Sequence, residues 1–109
     1  ENVLSFDNKW TFEEVLVGDN ALGTLFDNAG FSSIPSKRER YPQENERYLS
    51  SGYNTKRYTS PVNHPNVLGV QIECPSNVRS RDNQPRFAKA LTVVMFTYMD
   101  TYLNWKLSR

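Results

Sequence analysis

The sequence predicts an α/β fold, and one whose core is only partly contained in this chain. Three observations carry that expectation. Residues 67–74 place Val67, Leu68, Val70 and Ile72 between a Pro- and Asn-marked loop and Pro75, the composition of a largely buried strand. Residues 84–107 repeat Phe87, Leu91, Val94, Met95, Tyr98, Met99, Tyr102 and Leu103 at helical spacing, which reads as one long amphipathic helix. Finally, 38% of the 109 residues are hydrophobic and mean hydropathy is -0.67. That is thin cover for a helix about 30 Å long. A strand and a helix of this kind need neighbours, so the isolated chain is expected to fold poorly.

The length is that of one ordinary domain, and an aromatic content of 13% argues against disorder. Residues 1–18 mix aromatic and acidic side chains, with Phe6, Trp10 and Phe12 as candidate anchors. A short helix is predicted over residues 21–28. Asp19 or Asn20 can accept its first backbone N–H, Leu22, Leu25 and Phe26 share one face, and Gly30 stands where a left-handed residue ends a helix. Residues 31–34 read as a short strand stopped by Pro35. Residues 35–50 read as a long polar surface loop. Residues 52–58 have no clear period, and Pro61, Asn63, Pro65 and Asn66 mark another loop.

The net charge is +1. The basic groups at Lys37, Arg38 and Arg40 and at Arg79 and Arg81 are too few for a nucleic-acid footprint and read as solvated loops. No apolar run reaches the roughly 18 residues of a membrane-crossing helix, and no signal-peptide pattern opens the chain. The first residue is Glu1, not Met. This start is expected either from proteolytic processing or from trimming of the chain; the compartment is left open, with secretion after processing as one reading.

Chemistry-bearing residues are sparse. The one cysteine, Cys74, excludes an internal disulfide and reads either as a small buried hydrophobe or as a bridge to another chain. The one histidine, His64, falls short of a zinc site, which normally takes three protein ligands. No metal-binding His or Cys spacing, phosphate loop, dinucleotide fingerprint or nucleophile elbow occurs. Glu73 stands out at the end of an apolar strand, where a carboxylate is costly unless paired or working.

The run Ala21-Leu22-Gly23-Thr24-Leu25, then Gly30-Phe31, Ile34-Pro35-Ser36, Gly52-Tyr53-Asn54-Thr55 with Arg57, Gly69-Val70-Gln71-Ile72-Glu73, Pro75, Arg79 and Arg86-Phe87-Ala88 resembles the N-formylglutamate amidohydrolase family. The similarity covers residues 12–105, with 1–18 as an N-terminal extension and 19–107 as the family-like region. The resemblance implies the C-terminal part of a zinc-carboxypeptidase-like or aspartoacylase-like fold, a mixed sheet flanked by helices. The zinc ligands of such proteins precede this region, so zinc would be held by a partner, an upstream chain carrying the N-terminal half of the domain. Glu73 would be the catalytic glutamate, exchanging a proton during amide hydrolysis. Tyr53 and Arg57 would hold the carboxylate of a small acyl-amino-acid substrate, as a guanidinium suits. The chain departs from the family at Ser51, where Gly is usual, at Tyr58, where His is frequent, at Cys74, and through the loop 59–65.

Two readings of function follow from the resemblance. One is the C-terminal chain of a zinc-dependent amide hydrolase. The other is a non-catalytic structural or binding protein, one half of a processed two-chain assembly.

Overall fold

The structure, a computed structural model, describes residues 3–4, 9–46 and 52–105. The candidate anchor Phe6, Ser51, residues 47–50 of the expected loop and the last residues of the expected long helix lie outside them. Among the described residues the order is α1 (Phe12–Val17), α2 (Leu22–Asn28), α3 (Tyr53–Tyr58), α4 (Ser76–Arg79) and α5 (Gln84–Leu103).

The expected α/β fold is corrected: the described residues are helices and irregular chain, with no strand and no sheet. The two segments read as strands fail for different reasons. Phe31 turns its ring into the core, where it is 7% exposed. Ser33 Oγ then donates to Phe31 O at 2.7 Å, and a cis Ile34–Pro35 peptide leads into a turn. No extended run forms there. Residues 67–74 are irregular chain outside any ladder. A strand exists only through backbone pairing, and no described segment supplies it. Val67, Val70 and Ile72 are accordingly 43%, 55% and 41% exposed, where the sequence predicted burial.

The helices have clear local causes. Thr11 and Glu14 form a capping box at α1: Glu14 N–H donates to Thr11 Oγ1 at 3.1 Å, and Thr11 N–H donates to Glu14 Oε2 at 2.7 Å. This satisfies two of the N–H groups that a helix start leaves unpaired. At α2 the N-cap is Ala21, with no side-chain cap bond. The capping expected of Asp19 or Asn20 is therefore not made, and Asp19 instead pairs with the Lys37 ammonium at 2.6 Å. Gly30, at φ 93°, ends α2 in the left-handed region, as its type suits.

α5 runs 20 residues. It carries Thr92, Val93, Val94, Thr97 and Thr101, which are modest helix formers. Three of its threonine hydroxyls donate back to carbonyls one turn earlier, at 2.8–2.9 Å. Its stability therefore rests on packing its apolar stripe. Asn104, in the left-handed conformation, closes it.

That stripe meets α2. Phe26, Phe31, Ala90 and Val94 form the core, with Leu22, Leu25, Val78, Phe87 and Leu91 packed around it. Phe87 stacks on Phe26 at 5.8 Å between centroids and meets Phe31 edge-on at 5.2 Å. At the far end of α5, Trp10 packs edge-on against Tyr102 at 5.0 Å. The Tyr102 hydroxyl donates to Glu14 O at 3.3 Å, tying α1 to α5. Trp10 thus serves as an anchor, whereas Phe12 remains 59% exposed.

Residues 35–46 form a loop that is fastened down. Lys37 N–H donates to Thr24 Oγ1 at 2.9 Å, and Ser36, fully buried, accepts from Glu39 N–H at 3.0 Å. The basic run meets carboxylates of the chain itself: Lys37 with Asp19, Arg38 with Asp27 at 2.9 Å, and Arg40 with Glu13 at 2.7 Å.

Candidate functional site

Glu73 lies exposed, with Oε1 accepting a hydrogen bond from Gln71 Nε2 at 2.7 Å. The Gln71 side chain in turn lies against Gly52, where a Cβ would collide with its amide oxygen. Gly52 is the N-cap of α3. A glycine at this position therefore brings the start of α3, with Tyr53, beside Gln71 and Glu73. Further along, Gly69 lies against the Thr59 methyl, so residues 67–73 run along both ends of the same short helix.

Tyr53 and Arg57 stand four positions apart on α3 and so share one side of it. Tyr53 is 73% exposed. The Arg57 guanidinium lies 5.7 Å from the Tyr58 ring centroid, and no described carboxylate pairs with it. Both side chains are open to solvent, and a carboxylate ligand could reach the guanidinium without breaking an ion pair to any described residue.

On its other side, Glu73 borders a shallow pocket of about 60 Å³. Its lining includes Phe26, Phe31 and Phe87, Ile72, Glu73 and Cys74, and Ser32 and Ser33. Cys74 is a free thiol, half-buried. The aromatic lining was not foreseen from the sequence, which assigned these phenylalanines to separate elements. The one usable signal was their placement on faces that had to pack against each other.

The described residues do not fit a resident zinc ion. Nowhere among them do three His, Cys, Asp or Glu side chains converge as a metal would need. His64 is exposed, its ring 6.4 Å from that of Tyr58. No described helix is long and apolar enough to cross a membrane.

Electrostatics at the fastened loop are local. Donation to the Asp27 carboxylate, then to Glu39, makes the Arg38 guanidinium hold its proton more tightly than usual, and donation to Glu13 does the same for Arg40. Comparison of the chain with protein-family models, with curated proteins and with solved structures found no match.

Proposed function

We propose that this chain is a binding component of a larger assembly and is not catalytic by itself. The observation that carries this reading is the apolar ridge of Val67, Val70 and Ile72, exposed along a segment with no backbone ladder. Such a segment is costly to leave in water and offers both side chains and main-chain groups to a partner. The partner in this reading is the upstream polypeptide that the amidohydrolase resemblance implies.

The experiment is sedimentation of the native assembly carrying Val70→Asp together with Ile72→Asp. Val70 and Ile72 are 55% and 41% exposed and lie outside every helix, so the helix signal in circular dichroism should be unchanged while the assembly dissociates. Intact assembly in that variant would overturn the reading.

A second reading is favoured by the Gly52–Gln71–Glu73 juxtaposition, which sets α3 beside Glu73. Here Tyr53 and Arg57 hold the carboxylate of a small acyl-amino acid, and Glu73 moves a proton during amide hydrolysis. Zinc ligands would have to come from the other polypeptide. Turnover of N-formylglutamate by the native assembly, lost in Glu73→Gln with assembly intact, supports this reading. An assembly with no such turnover leaves the binding reading in place.

A further inference from the structure

The pocket beside Glu73 has a chemistry that neither reading uses. Phe26, Phe31 and Phe87 are among its lining residues, and its only charged member is the Glu73 carboxylate. Aromatic faces carry negative partial charge and attract cations. Phe31 already does so, with the Arg86 guanidinium 4.5 Å from its ring centroid, and Arg86 is not part of the pocket wall. Glu73 is held at the rim by Gln71 through Oε1, which leaves Oε2 with no described partner.

We propose that this pocket binds the head of a methylated ammonium cation, with Glu73 as its counter-charge. Size favours such a head. About 60 Å³ is several times the ~10–15 Å³ that one water needs, which is room for a nitrogen and a few methyl groups. The wall chemistry favours it too. A bare ammonium is strongly hydrated and needs hydrogen-bond acceptors on every side, whereas beyond Glu73 the side chains of the lining offer only the hydroxyls of Ser32 and Ser33 as oxygen acceptors. Methyl groups lose little water and can lie against the rings, while the spread positive charge faces Glu73. A metal ion would find one carboxylate and no second oxygen-rich wall. The proposal shares Ile72 with the ridge of the first reading and Glu73 with the second, and it requires that a partner seated on the ridge leave the pocket open.

The experiment compares choline with its neutral, equally shaped analogue 3,3-dimethylbutan-1-ol, titrated into the native assembly with this chain isotope-labelled. Proton–nitrogen correlation spectra report on residues 31–33 and 72–78. Choline should shift those amides to saturation in the millimolar range, and the neutral analogue should bind at least about tenfold more weakly. Glu73→Gln, at an exposed position, should weaken choline to a similar degree. Arg86→Met removes a nearby positive charge and should strengthen it. Equal binding of the two ligands, indifference to Glu73→Gln, or no saturable shift in these residues would each overturn the proposal.

Discussion

Two glycines make opposite demands at single-residue scale. A Cβ on Gly23 would collide with the Pro35 carbonyl oxygen, and both groups belong to backbone that is held in place. Pro35 precedes the buried Ser36, and the next N–H is bonded to Thr24. Gly23→Ala should therefore cost about 1–3 kcal/mol, read as a lowered midpoint in denaturant. A Cβ on Gly52 meets only the amide end of Gln71, which can rotate away. Gly52→Ala should leave stability nearly unchanged while releasing the Gln71–Glu73 hydrogen bond, visible as altered Gln71 side-chain amide resonances. Thr24 offers a third contrast. It is 5% exposed and its hydroxyl accepts from Lys37 N–H, so Thr24→Val keeps the shape but removes the acceptor. A loss of about 1 kcal/mol is expected, and Thr24→Ser should restore most of it.

Helices in this chain differ in how openly the sequence declares them. α1 depends on the Thr11–Glu14 box, and Thr11→Ala should destabilise by about 1 kcal/mol, measured by thermal unfolding. α5 was legible because Phe87, Leu91, Val94, Tyr98 and Tyr102 form a stripe that any packed helix of that length must bury. Val94, 2% exposed, lies at its centre. Val94→Ala should cost about 2 kcal/mol, from two lost methyl groups and the space they leave. α2 was legible through Leu22, Leu25 and Phe26, and its end through Gly30. α3 was not, because Tyr53–Tyr58 is too short to show a period and its residues are exposed or nearly so. Residues 67–74 misled for a deeper reason. Val, Leu and Ile describe what a strand would bury, but pairing is a property of two segments, and the sequence of one cannot reveal that no second is found among the described residues. The same limit applies to the candidate site. Glu73, Tyr53 and Arg57 could be singled out by residue type, yet their approach through Gly52 and Gln71 depends on how α3 and residues 67–73 fold against each other. The fastening of Lys37, Arg38 and Arg40 was hidden similarly: the sequence shows a basic run, and only the fold brings Asp19, Asp27 and Glu13 to it.

At the scale of the whole molecule, α1, α2 and α5 are joined at two places, the phenylalanine core and the Trp10–Tyr102 contact, and the second has a pH signature. Tyr98 and Tyr102 lie 4.9 Å apart between centroids. Burial pushes the Tyr98 phenol above its ordinary value of 10.0. Burial also raises Tyr102, with further upward pushes from Tyr98, Glu14 and Asp19. In each case the folded state resists losing the proton. The unfolded chain ionises first, near pH 10, so above that pH it binds fewer protons than the folded chain. The slope of unfolding free energy with pH is then negative. The stabilisation linked to these phenols is fully present below about pH 10, and is lost as pH rises through the raised folded values. Thermal unfolding midpoints should therefore fall more steeply between pH 10 and 11 in the native chain than in Tyr98→Phe with Tyr102→Phe. The double variant gives up the Tyr102 bond to Glu14 O at 3.3 Å, so it should start slightly lower at pH 8 and lose less on the way up. Parallel pH profiles for the two proteins would mean that the junction between α1 and α5 does not keep these hydroxyls from water, and that Trp10 and Tyr102 do not close that end of the core.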